Sequence, residues 1–207
     1  MSSPEQPGYP VQLSGDLSKP PANGWWLIKW LLAIPHYFIL IFLIIAYIFV
    51  TIIAFFAILF TGRYPRGLFD FNVGVLRWGW RVGFYSYDVL GTDKYPPFSL
   101  KPDPNYPADI VVPYPEKLSR GLVLVKWWLL AIPHYLVVGA FGGFGAGWRN
   151  PGLQPILVLI AAVALLFTGK YREDIFKLVM GTNRWTYRVV VYASLMTDKY
   201  PPFRLWD

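Results

Sequence analysis

The chain contains no cysteine, which removes disulfides, zinc–thiolate centres and a thiol nucleophile from consideration. Charge is also scarce. Asp, Glu, Lys and Arg make up 15% of residues, against about 25% in an ordinary soluble domain. From Trp30 to Gly62 no formally charged residue occurs, and an apolar run of about 18 residues already suffices for a spanning helix. Histidine appears only as His36 and His134, with no haem-attachment motif and too few ligands for a histidine-rich metal centre. The first 24 residues are polar and rich in Pro, Ser and Gly. They lack the basic-then-apolar pattern of a cleavable signal, so the first apolar segment is expected to direct insertion itself.

What is present is apolar and aromatic: 55% hydrophobic residues, 19% aromatic, 10 Trp and a net charge of +7. Trp and Tyr beside long apolar runs suit the headgroup level of a bilayer. The basic residues flank apolar segments rather than filling a hydrophilic domain, which argues against nucleic acid as the partner. The chain also repeats itself. Ile34-Pro35-His36-Tyr37 returns as Ile132-Pro133-His134-Tyr135, Leu59–Gly62 returns at Leu166–Gly169, and Thr92-Asp-Lys-Tyr-Pro-Pro-Phe98 returns unchanged at Thr197–Phe203. Three matches in the same order define a tandem duplication of a unit of roughly 100 residues.

The apolar stretch Trp25–Phe60 would be about 54 Å long as one helix, well beyond a hydrocarbon core of about 30 Å. In the second copy, the Gly-rich run Phe141–Gly147 and Trp148-Arg-Asn-Pro-Gly152 separate Leu122–Ala140 from Gln154–Thr168, which predicts a helical hairpin. The first copy is accordingly expected to fold back near Leu43–Tyr47. In that arrangement Arg149 alone lies on the far side, while Lys29, Arg63, Arg66, Arg77, Arg81, Lys117, Arg120, Lys126, Lys170, Arg172, Lys177, Arg184 and Arg188 lie on the near side. The positive-inside rule makes the near side cytoplasmic. The expected architecture is an all-α membrane protein, a tandem duplication of a helical hairpin plus an interfacial amphipathic helix. It has about four membrane helices and both termini inside. Its parts are a polar segment 1–24, repeat one 25–100, a linker 101–120 and repeat two 121–207.

Gly67–Leu90 and Ile175–Leu195 carry amphipathic patterns. Arg77 and Arg81, and Arg184 and Arg188, form a basic stripe on an aromatic helix that suits the interface. These four Arg, with Trp78, Trp185, Tyr95 and Tyr200, are the candidate lipid- or partner-binding residues; the alternative for Arg77 and Arg81 is internal pairing with Asp88. The Pro-Pro pair in each Thr-Asp-Lys-Tyr-Pro-Pro-Phe segment ends a helix, and Asp93 and Asp198 are natural turn formers. His36 and His134 form a possible polar site: each is expected to bond a carbonyl freed by its neighbouring Pro, or, as a pair, to ligate a haem. Glu173-Asp174 is absent from the first copy and is assigned to a solvated loop or helix N-terminus. No nucleophile or acid–base pair with recognisable spacing appears, so no catalytic residue, metal or cofactor is expected.

Lys29-Trp-Leu-Leu-Ala-Ile-Pro-His-Tyr37, Leu59-Phe-Thr-Gly-Arg-Tyr-Pro65, Phe69-Asp-Phe-Asn-Val-Gly-Val-Leu-Arg-Trp78 and Thr92–Phe98 together resemble DUF4389, a family of bacterial, mainly actinobacterial, membrane proteins. The resemblance covers nearly all of both copies and implies an integral membrane protein, with no reaction or cofactor attached. The expected function is a non-enzymatic accessory or scaffold protein that binds a larger membrane complex or anionic lipid. A small transporter or channel, and a haem-binding redox subunit using His36 and His134, are the alternatives.

Overall fold

The computed structural model of the protein describes residues 9–17, 21–22, 24–142 and 152–206. In chain order the elements are β1 (Gln12–Gly15), α1 (Trp26–Thr61), α2 (Arg66–Tyr85), β2 (Ala108–Val111), α3 (Leu122–Val125), a π-helical turn (Lys126–Leu130), α4 (Ile132–Phe141), α5 (Leu153–Thr168) and α6 (Glu173–Ala193). The protein is mostly helical, as the composition requires. The antiparallel β1–β2 ribbon lies outside the all-α expectation.

The expected hairpin in the first copy does not form, because α1 runs unbroken for 36 residues. Leu43–Tyr47 reads Leu-Ile-Ile-Ala-Tyr and offers neither Gly nor Pro to end a helix. The stop comes at Gly62, whose φ of 72° is the left-handed C-cap geometry and whose N–H bonds Ile58 O at 2.8 Å. Pro35 sits inside α1, where its ring disturbs the preceding turn. There the Tyr95 hydroxyl donates to Leu32 O at 3.1 Å, and in the second copy Tyr200 donates to Leu130 O at 3.1 Å, three residues before Pro133.

The second copy corrects the hairpin expectation in another way. Its two apolar helices form where expected, but they follow one another along α6 instead of folding back. On α4, His134 bonds Trp185, and Val138 packs with Trp185 and Val189. At the start of α5, Gln154 meets Asn183 and Thr182. The path therefore proceeds steadily toward the α6 N-terminus, as α1 does along α2, where His36 meets Trp78 and Thr51 meets Asn72. Pro35 to Gly62 is 27 positions and Pro133 to Gly169 is 36. The second copy is thus the same long helix carrying a nine-residue insertion. The Gly-rich segment 143–151, including Arg149, lies outside the described residues.

A smaller insertion is absorbed by the π-helical turn. Lys29 and His36 are seven apart, whereas Lys126 and His134 are eight apart. One extra residue would rotate everything after it by about 100° in an α-helix. A π turn takes up a single residue, so Lys126 and His134 both keep the inward positions of Lys29 and His36.

The ribbon reveals the symmetry. Leu13 pairs with Ile110, and Tyr9-Pro10 precedes Leu13 by the same spacing as Tyr106-Pro107 precedes Ile110. Leu13 and Ile110 are therefore repeat equivalents that face one another, with Gln12–Val111 and Ser14–Asp109 exchanging roles on either side, and a pseudo-twofold axis passes between Leu13 and Ile110. α2 packs on β2 and on α1; α6 packs on β1 and on α4 and α5; α1 also touches α3. The result is a slab. The long apolar helices form one face, α2 and α6 lie beneath them, and the ribbon with its flanking segments covers the other face. Because the strands are antiparallel and each runs against its helix, the two long helical paths are antiparallel too. The main core, with Trp80, Phe84, Ile110, Leu13, Met180 and Leu165, lies between these layers.

Trp26–Thr61 and Leu122–Phe141 are long and apolar enough to cross a membrane, and only 11% of the most apolar window of the first is buried within the protein. The buried positions of α1 (Lys29, Ala33, His36, Leu40, Ala54 and Ile58) trace a narrow inward stripe. Ile41, Phe42, Ile45, Ile48, Phe49, Ile52, Ile53 and Phe56 are among the large side chains exposed around it.

Candidate functional site

Of the basic side chains that the sequence places on interfacial or cytoplasmic surfaces, Lys29, Arg81, Lys126 and Arg188 are inside and Arg77 and Arg184 are half-buried, whereas those at the helix ends, such as Arg63 and Lys170, stay exposed. Lys29 is buried, with Nζ 2.8 Å from Asp93 Oδ1 and donating to Thr92 O at 2.8 Å. The second Asp93 oxygen accepts the Ala22 N–H at 2.6 Å. The second copy repeats this, with Lys126 Nζ 2.6 Å from Asp198 Oδ1, 3.0 Å from Thr197 O, and Ser119 N–H 2.6 Å from Asp198 Oδ2. Each pair locks the start of a long helix to the Thr-Asp-Lys segment that ends its repeat. Lys29 and Lys126 are therefore neutralised inside the fold and contribute nothing to an exposed positive flank. Asp93 and Asp198 do bond backbone, as turn residues should, but across the fold rather than locally.

The arginine stripe is likewise committed. Arg77 Nε lies 2.7 Å from Asp109 Oδ1, and its terminal nitrogens donate to Leu100 O and Ile110 O. Arg184 Nε donates to Leu13 O at 3.2 Å. Equivalent arginines thus hold equivalent strand carbonyls, and the internal acid is Asp109 rather than Asp88. Arg81 and Arg188 are fully buried; they donate to Lys101 O and Arg204 O and sit over the rings of Tyr106 and Tyr9. Burial pulls the Arg81 guanidinium below its ordinary value, with Asp109 opposing the fall. Asp109 lies in the segment that reads as linker, so no local pattern joins it to Arg77.

Each histidine sits in an aromatic cage of its own repeat. His36 Nδ1 accepts from Trp78 Nε1 at 3.0 Å, and Phe98 stacks on the ring at 4.0 Å with Tyr95 tilted at 4.8 Å. His134 accepts from Trp185 at 3.0 Å, with Phe203 at 4.3 Å and Tyr200 at 4.8 Å. An Nδ1 that accepts fixes the neutral tautomer with its proton on Nε2. The carbonyls near the prolines are therefore served by Tyr95 and Tyr200, not by the histidines. With Nδ1 used, one ring face covered and the ring fully buried, neither His presents itself to a porphyrin. The cages also explain the repeated words: His, Tyr and Phe of the two motifs meet, with the Trp of the amphipathic helix closing the side.

Of the remaining candidates, Trp78 and Trp185 are buried, whereas Tyr95 and Tyr200 are 41% and 42% exposed. Glu173 and Asp174 form exposed pairs with Lys177 and Arg172 at the start of α6. Two clefts open on opposite faces. One of about 470 Å³ lies beside the ribbon, lined by Ser14, Asp16, Thr92, Lys94 and Asn105. The other, of about 460 Å³, is apolar and lies between α1 and the π turn, lined by Tyr47, Thr51, Phe55, Trp127 and Ser194. Among the described residues no group of three or more His, Asp or Glu is placed to hold a metal ion.

A family model described as a domain of unknown function (DUF4389) matches residues 25–99 and 153–204. The chain belongs to this family. The two matched segments fall one in each copy, and the second begins just after the nine-residue insertion. No curated protein and no solved structure matches the chain. In this chain each copy is a long apolar helical path clamped at its start by a Lys–Asp pair, an amphipathic helix, and a Tyr-Pro-Pro-Phe tail folded over a histidine.

Proposed function

We propose that the protein is a non-enzymatic accessory or scaffold protein of the bacterial cytoplasmic membrane. Lipid contacts its long-helix face, and a partner complex meets its ribbon face. The observation that carries this reading is α1: 36 residues whose Ile, Phe and Leu side chains stay exposed around all but one stripe. A surface of that size and polarity marks a membrane or protein contact. The exposed rings of Tyr95 and Tyr200 suit the headgroup level, and the exposed Arg63, Lys117, Arg120 and Lys170 at the helix ends favour anionic lipid. An accessory role also accords with how the polar side chains near the apolar face are used: Tyr47 bonds Ser194, Thr51 bonds Asn72, and both Lys–Asp pairs hold helix ends.

The test has two steps. Washing membranes with alkaline carbonate should leave the chain in the pellet, and its release would end the membrane reading. Purification in mild detergent with mass spectrometry should then yield one stoichiometric membrane-protein partner. Recovery of the chain alone from several detergents would contradict the accessory role.

A further inference from the structure

The length of α1 does not fit a crossing. Its exposed apolar side chains run from Leu27 to Phe60, about 50 Å of helix. To keep all 36 residues within a core of about 30 Å, α1 would have to tilt about 56° from the membrane normal, outside the 0–40° range of spanning helices.

The opposite face forbids a crossing more firmly. The segment after the first repeat follows α2 from end to end. Tyr106 bonds Arg81 O, Asp109 meets Arg77, Tyr114 bonds Tyr64 O, and Leu118 N–H bonds Gly62 O at 2.9 Å. It therefore tracks α1 from the level of His36 to its C-terminus. Were α1 upright, this segment and the edges of a two-stranded ribbon would lie at mid-bilayer depth, where exposed irregular backbone is not tolerated. Charge agrees. Arg63, Lys117 and Arg120 lie exposed at the α1 C-terminus, and Lys170 and Arg172 lie exposed after α5, and the pseudo-twofold axis puts these two basic groups at opposite ends of the slab.

We infer that the protein is monotopic: its two antiparallel long helical paths lie flat within one leaflet, with the pseudo-twofold axis along the membrane normal, the ribbon in water, and the basic clusters meeting anionic headgroups of that same leaflet. This deepens the membrane reading on which it rests. The apolar face of the slab meets acyl chains, the aromatic residues at its margins meet the ester level, and both repeats enter from one side. The chain occupies one leaflet without crossing it, which suits it to present the ribbon face to a partner on that side alone.

The absence of cysteine makes the test direct. Single-cysteine variants of the full chain, Trp25→Cys and Arg63→Cys, mark the two ends of α1. Each is treated with a membrane-impermeant maleimide in spheroplasts and in everted vesicles. The expected result is labelling of both variants in the same one of the two preparations. In parallel, spin labels at Phe38→Cys, Phe49→Cys and Phe60→Cys should report depths within about 5 Å of one another, whereas an upright helix separates the first and last by about 33 Å. Labelling of Trp25→Cys and Arg63→Cys from opposite sides, with the chain retained through carbonate washing, overturns the flat placement and leaves the membrane reading standing. Release by carbonate overturns both.

Discussion

Replacing Asp198 by Asn isolates the charge of one clamp while keeping its shape. The carboxamide oxygen can still accept the Ser119 N–H, now 2.6 Å from Asp198 Oδ2. What is lost is the counter-charge 2.6 Å from Lys126 Nζ. Lys126 is fully buried, with Thr197 O at 3.0 Å and the Tyr192 ring at 5.7 Å beside it. Removing one partner of a buried ion pair costs about 3–5 kcal/mol, because the remaining charge is left unpaired. At about 1.4 kcal/mol per decade, that is two to three and a half decades in the unfolding equilibrium. Lys126→Met should be milder, under about 2 kcal/mol, since Asp198 keeps some contact with water (27% exposed) and a side chain of similar volume fills the site. The Lys126→Met/Asp198→Asn double variant should recover most of the loss. The assay is titration of bicelle-bound protein with sodium dodecyl sulfate, followed by Trp fluorescence. Equal costs for the two single variants, or a double variant as unstable as Asp198→Asn, would refute the reasoning.

Other expectations follow from the same geometry. Deleting Trp128 should turn the π-helical turn into ordinary helix with the first copy's spacing and change stability by under about 1.5 kcal/mol. Deleting Leu31 from α1 should cost considerably more in the same titration, because it rotates His36 away from Trp78 by about 100°. A Cβ at Gly74 would meet Leu100 Cβ at 2.7 Å, while one at Gly181 would meet Leu205 Cβ at 3.1 Å, so Gly74→Ala should destabilise by about 1–3 kcal/mol and Gly181→Ala by less. Nitrogen NMR of labelled His36 and His134 should show Nε2 protonated and Nδ1 bare at neutral pH; a protonated Nδ1 at either site would contradict the Trp78 and Trp185 bonds.

Repeats and periodicity made the helices legible. The apolar runs, the amphipathic helices after them and the breaks at Gly62 and Gly169 all follow from local pattern. Chain direction in space did not. A 36-residue apolar run invites a fold-back only if a crossing is assumed, and Leu43–Tyr47 held no turn residue to support one. The Gly-rich insertion in the second copy looked like a hairpin loop because composition marks a loop without saying where its ends point. Comparing the spacing of Pro35–Gly62 with that of Pro133–Gly169 would have exposed it as an insertion in one long helix.

The candidate site was legible in its words and not in its pairings. His36, Tyr95 and Phe98 are 59 and 62 residues apart, and only the fold brings them into one cage. The stripe Arg77/Arg81 is real, but a stripe on a helix says nothing about what faces it, and here it faces Asp109 and the carbonyls of Leu100, Lys101 and Ile110. Lys29 and Lys126 were informative in retrospect: one lysine at the same inward position of two apolar helices, with an aspartate in the repeated Thr-Asp-Lys segment of each copy, is a pairing signal.

Polarised infrared dichroism of the protein in oriented bilayers tests the central claim most directly. Amide I of the long helical paths dominates the helical signal, and the account predicts helix axes close to the membrane plane. A dichroic ratio that places the mean helix axis within about 40° of the normal would contradict it.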